Sequence, residues 1–128
     1  MNPELRVLVV EDDPAVRKLI KITLARAGYR PFAAENGTEA LNLLQDQAVE
    51  VVLTDINMPS MGGLALYQEI QAEHPQLPVI FMSGAAMERD DLPPGSLVLN
   101  KPFRYDDLMA ILRSALPQLA KEARAGKK

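Results

Sequence analysis

The sequence contains no cysteine, no tryptophan and a single histidine in 128 residues. Without thiols there are no disulfides, thiolate metal sites or cysteine nucleophiles, and the chain suits a reducing compartment. Aromatic residues make up only 5% of the chain, so aliphatic packing has to build the core. Positive charge is not in excess either. Against 17 acidic residues stand 14 Lys and Arg, giving a net charge of -3 and a pI near 5.1, without the clustered basic footprint that nucleic acid requires. No stretch approaches the about 18 consecutive apolar residues of a bilayer span, and "MNPELRVLVV" has no basic region ahead of a long apolar one. The chain is therefore read as cytoplasmic, with no nucleic-acid partner and no membrane partner.

With 48% hydrophobic and 24% charged residues, the composition is that of a soluble globular protein. A chain of this length is expected to form one domain over residues 1–128 and to bury roughly two thirds of its unfolded surface. Its core is placed at about 5–116, with 117–128 as a helix end or frayed tail beyond Pro117.

Four apolar runs, Val7–Val10, Val51–Leu53, Val79–Met82 and Leu97–Leu99, lack period-2 alternation, which predicts parallel strands covered on both faces. Tyr29–Ala33 is a weaker fifth strand, supported by its place between two helical patterns. In "PAVRKLIKITLARAG" apolar residues recur at helical spacing, Pro14 suits a first turn and Gly28 a C-terminal cap. "GTEALNLLQDQ" predicts a helix with Thr38 as N-cap, "GLALYQEIQAEHP" one that stops at Pro75, and "RYDDLMAILRSAL" a last one. This alternation implies an α/β fold with a doubly wound parallel sheet of five strands, in which ligand sites lie at the carboxyl ends of the strands.

Those ends carry the polar residues. The first run ends on Glu11, Asp12 and Asp13, the third strand on Thr54 and Asp55, the fourth on Ser83, and the fifth on Asn100 and Lys101. Adjacent carboxylates repel one another and call for a shared cation. An all-oxygen set suits Mg2+, and a carboxylate beside that metal can attack phosphorus to form an aspartyl phosphate. Each residue has a plainer reading as well: a solvated strand-to-helix turn for the acids, an Asx turn for Asp55, a strand-end hydroxyl for Ser83 and a snorkelling lysine for Lys101. His74 has no partner at metal-ligand spacing and reads as a surface residue.

The stretches "VLVVEDD", "VLTDINMPSMGG", "VIFMSGAA" and "LVLNKPF", in this order and spacing, resemble the receiver domain of two-component response regulators. The resemblance runs from about Leu5 to about Leu116. It implies the flavodoxin-like strand order 2-1-3-4-5. It also implies Asp55 as phosphoacceptor, with Mg2+, or Mn2+ as a substitute, held by Glu11, Asp12, Asp55 and the backbone carbonyl of Asn57. Ser83 matches the hydroxyl that bonds the phosphoryl group, Lys101 matches the lysine that pairs with it, and Lys101–Pro102 matches the family's cis peptide. Asp13 lies one place beyond the matched acids and is assigned to the helix N-terminus.

The implied function is a signalling switch rather than an enzyme acting on outside substrates, apart from Mg-dependent self-phosphorylation and slow autodephosphorylation at Asp55. A histidine kinase or histidine phosphotransfer protein would supply the phosphoryl group and a downstream protein would read it. An aspartate-nucleophile phosphatase commonly has a second aspartate two residues on, where this chain has Asn57. The alternative is a pseudo-receiver, a binding module never phosphorylated.

Two features depart from the family pattern. Val98 stands where an aromatic residue usually reports phosphorylation, and "GAAMERDDLPPGSLVLN" is short and holds Pro93, Pro94 and Gly95. The helix between the fourth and fifth strands is therefore expected to be shortened or missing, with at most a turn around Ala86–Asp91. Signalling is expected through a loop-built surface there or through another face, such as that of the first helix. No second domain follows in the sequence, so output through protein contacts, or excision from a longer regulator, is anticipated.

Overall fold

The computed structural model describes residues 5–58, 61–84 and 92–116. Five strands, β1 (Arg6–Val10), β2 (Arg30–Ala34), β3 (Val51–Asp55), β4 (Val79–Ser83) and β5 (Leu97–Asn100), form one sheet in the order β2-β1-β3-β4-β5, every pair parallel. Four helices accompany them among the described residues: α1 (Pro14–Arg26), α2 (Gly37–Asp46), α3 (Gly63–Glu73) and α4 (Tyr105–Ala115). The turn expected around Ala86–Asp91, and with it the shortened or missing helix between β4 and β5, lies outside the described residues.

The runs lack alternation because both faces of the sheet are covered. Val7, Val9, Val51, Leu53, Ile80 and Met82 pack on one side with Ile20 and Leu24 of α1 and Leu108 and Leu112 of α4. Leu8, Val10, Val52 and Phe81 pack on the other with Ala40 and Leu44 of α2 and Leu66 and Ile70 of α3. Neighbouring residues of one strand thus enter opposite cores, and both must be apolar. Val98 is partly buried against the second of these cores.

Capping residues set the helix ends. Asp13 is the N-cap of α1, its carboxylate accepting from the N–H groups of Ala15 and Val16 at 2.9 and 3.3 Å. At the other end Gly28 takes φ 95°, its N–H donates to the Ala25 carbonyl, and the Tyr29 N–H donates to the Leu24 carbonyl. This Schellman closure favours glycine because the position is left-handed. The N-cap of α2 is Asn36, not Thr38, which sits inside the first turn. The Asn36 side chain accepts from the Glu39 N–H at 2.8 Å, and Gly37 starts the helix where a Cβ would run into the Met61 side chain. The second strand begins one residue later than its pattern suggested, at Arg30.

α3 starts directly on the end of β3. The Gly63 N–H donates to the Ile56 carbonyl at 2.8 Å, and a Cβ at Gly63 would collide with the Asp55 carbonyl oxygen. Only glycine lets the helix approach the backbone of Asp55 this closely.

Candidate functional site

The ladder continues one residue past the strands and so fixes the loops at this edge. Glu11 N–H donates to the Ala34 carbonyl, Ile56 N–H to Met82 and Lys101 N–H to Ser83. Side chains anchored there cannot drift without breaking a strand end. Glu11, Asp55 and Ser83 are buried, whereas Asp12 and Asn57 are exposed.

The Lys101 ammonium lies 2.7 Å from Glu11 Oε1 and 2.5 Å from Asp55 Oδ1, bridging the ends of β1, β3 and β5. The Asp13 N–H donates to Glu11 Oε2 at 3.1 Å, while the Asp13 carboxylate turns away to cap α1. The Thr54 hydroxyl donates to the Asp55 carbonyl. Ser83 sits one step beyond Met82, the partner of Asp55 on the adjacent strand. The Lys101–Pro102 peptide is cis.

Oxygens of Glu11, Asp12 and Asp55 all lie within 4.8 Å of one another. Two trans ligands of Mg2+ are about 4.2 Å apart, so small side-chain rotations would close the site around that ion. The donor set is all oxygen, as a hard cation requires. When all three carboxylates are ionised, a single ammonium leaves two negative charges uncompensated.

Proton uptake relieves that excess. Burial, foremost, together with a hydrogen bond to Glu11 and repulsion from it, pushes the Asp55 carboxyl up to about 8 against the pull of Lys101. Burial drives Glu11 upward too, but hydrogen bonds from Asp55, Lys101 and the Asp13 N–H outweigh it and hold the carboxyl below its ordinary value. Burial works against the Lys101 ammonium, and the two carboxylates overcome it to hold the group above its ordinary value. At neutral pH the protein without metal therefore keeps a proton on Asp55, donated toward Glu11.

The sequence profile of the response regulator receiver domain matches residues 7–113. The chain belongs to the response regulator receiver family. The receiver is 38% identical over 121 residues to the DNA-binding transcriptional regulator NtrC of Escherichia coli K12, covering 86% of this chain and 24% of NtrC. It thus spans about a quarter of the length of that relative. It is 36% identical over 108 residues to the response regulator receiver protein CpdR of Brucella abortus, covering 81% of this chain and 90% of CpdR. Among solved structures, response regulator TrrA of Thermotoga maritima, in complex with Mg2+ and BeF, superposes with a TM-score of 0.80 at 32% identity, over 88% of this chain and 99% of TrrA. Receivers of this family are signalling switches of two-component systems, and the expected fold and strand order hold throughout the described residues.

Two further features were not singled out in the sequence. Arg17 of α1 reaches back to the strand end, its Nη1 2.8 Å from the Glu11 carbonyl and 3.4 Å from that of Asp12. Beside the site, an apolar groove of about 610 Å3 runs between α1 and the start of α4. Leu19, Ile22 and Tyr105, 64%, 41% and 54% exposed, all line it, so the large exposed apolar side chains of the described residues gather at one place. Its charged lining residues, Arg26, Lys101 and Arg104, are all cations. No helix among the described residues is long and apolar enough to cross a membrane.

Proposed function

We propose that this receiver takes a phosphoryl group onto Asp55 from a phosphohistidine protein, with Mg2+ held by Glu11, Asp12, Asp55 and the Asn57 carbonyl. The observation that carries this reading is the convergence of three carboxylates within 4.8 Å of one another, with Asp55 among them fixed by Lys101. Mg2+ supplies charge neutralisation for the transferring phosphoryl oxygens. An Asp55 oxygen forms a bond to phosphorus as the donor's P–N bond breaks, and the departing imidazole takes up a proton from solvent. Lys101 then exchanges its carboxylate partner for a phosphoryl oxygen, and the Ser83 hydroxyl donates to another. Loss of the Lys101 bridge between β3 and β5 is the signal a downstream protein would read. We place the chain in the cytoplasm, where such donors act.

The test is the mass of the full chain after incubation with acetyl phosphate and Mg2+. A gain of one phosphoryl group is expected, absent in Asp55→Asn and absent without Mg2+. No gain, with BeF3- also leaving the amide spectrum unchanged, would establish the pseudo-receiver instead.

The groove beside Lys101 fits the donor protein. Its apolar floor and three lining cations complement an amphipathic helix whose apolar stripe is bordered by Asp and Glu. Such a helix would bring a phosphohistidine alongside the strand edge. Leu19→Asp is expected to lower the rate of transfer from a phosphohistidine protein, relative to the rate from acetyl phosphate, by about tenfold. An unchanged ratio would remove the groove from donor recognition.

A further inference from the structure

The acidic site contains one ligand with little support of its own. Glu11 and Asp55 are buried and pinned by the Lys101 ammonium, but the Asp12 side chain is exposed and lies at the tip of the turn between β1 and α1. What holds its backbone is a guanidinium. Arg17 Nη1 donates to the Glu11 carbonyl at 2.8 Å and approaches the Asp12 carbonyl at 3.4 Å. The Arg17 N–H donates to the Asp13 carbonyl at 2.9 Å, so the same residue is tied to three successive carbonyls of the turn.

We propose that Arg17 is the positioning residue of the metal site: it fixes the peptide units of Glu11 and Asp12 so that their carboxylates face Asp55. This inference rests on the Mg2+ reading given above. With both carbonyls drawn toward α1, the Asp12 side chain is left to project toward the cluster of carboxylates. Without the guanidinium, the half-buried Glu11 carbonyl loses its partner and the turn relaxes toward solvent, carrying Asp12 with it. The effect is indirect, because Arg17 bonds backbone oxygens and no carboxylate among its hydrogen bonds here.

Electrostatics alone predicts the opposite outcome, which makes the proposal decidable. Arg17 is a cation close to a site for a divalent cation, so removing its charge should tighten Mg2+ binding. If it acts by positioning, removing it should weaken binding.

The experiment titrates Mg2+ into the full chain at pH 8, followed by the amide resonances of the acidic turn and by calorimetry. Arg17→Ala is expected to raise the Mg2+ Kd by about tenfold, in the range seen when groups that orient metal ligands are lost. Arg17→Lys should raise it by about threefold, because the shorter, more strongly hydrated ammonium reaches the two carbonyls that Nη1 holds less well. In an Asp12→Asn background the Arg17→Ala effect should shrink to less than about twofold, because the ligand that Arg17 positions is already gone. If Arg17→Ala does not fold, the Arg17→Lys comparison decides alone. Equal or tighter binding in the Arg17 variants, with the wild type binding normally, overturns the positioning role while the metal site stands. A wild type that binds no Mg2+ overturns the metal site and this inference together.

Discussion

Replacing Lys101 by methionine is expected to slow phosphoryl gain from acetyl phosphate by about 100-fold and to lower the stability of the metal-free protein by about 2 kcal/mol. The ammonium is within 2.7 Å of Glu11 and 2.5 Å of Asp55, both buried, and it is the cation that compensates them. Removing one partner of a buried ion pair costs roughly 3–5 kcal/mol. The figure expected here is lower because Lys101 is 27% exposed and because Asp55 can answer the loss by holding its proton more tightly. During transfer no such adjustment exists, since the phosphoryl oxygens bring further negative charge to the same place. Mg2+ should bind more tightly to the variant, as ammonium and metal compete for the same carboxylates. Time courses of phosphoryl mass and denaturant midpoints check both effects. A rate within about threefold of wild type would show that Lys101 serves the resting state alone.

Mg2+ affinity should depend steeply on pH. Asp55, ordinarily near 3.8, is pushed up to about 8 in the folded protein without metal. Between about pH 4 and pH 8 the folded state therefore binds more protons than the unfolded chain. The contribution of Asp55 to stability is complete below about pH 4 and is lost as pH rises through about 8. Glu11 is shifted the other way, so its contribution is present above its ordinary 4.5 and is lost only in more acidic solution. Because the metal requires the ionised carboxylate, binding displaces the Asp55 proton, and apparent affinity should fall about tenfold per pH unit below 8. Mg2+ should thus bind about 50-fold more weakly at pH 6 than at pH 8, where half of the Asp55 carboxyl is still protonated. Titrations across this range test the slope, and a flat profile would rule out a proton shared between Asp55 and Glu11. Asp55→Asn should abolish most of the dependence along with most of the affinity.

Much of this site was legible before any coordinates. Glu11 and Asp55 each stand where an apolar run stops, and a run without alternation identifies a strand buried on both faces. Their convergence follows from parallel topology, because every strand of such a sheet delivers its carboxyl end to the same edge. The expectation that Asp13 serves the helix also holds, with its carboxylate on the N–H groups of Ala15 and Val16.

Other parts were not legible, and for one kind of reason. Thr38 and Asn36 are both good caps by composition, and the structure places Asn36 at the cap, accepting from the Glu39 N–H, with Gly37 starting the helix against Met61, 24 residues away. Arg17 looked like any charge on a helix face, since its value lies in carbonyls it meets only after the chain has turned from β1 into α1. The groove needs α1 and the start of α4, elements from opposite ends of the chain.

The sequence by itself determined which ionisable groups reach the edge of the sheet, because strand ends are marked locally by where hydrophobicity stops. Only the tertiary structure decided their state. Whether Asp55 carries a proton and whether the Asp12 carboxylate lies beside it depend on how much water has been removed around them and on which distant charge has been brought within bonding distance, and both are consequences of packing between segments far apart in the chain.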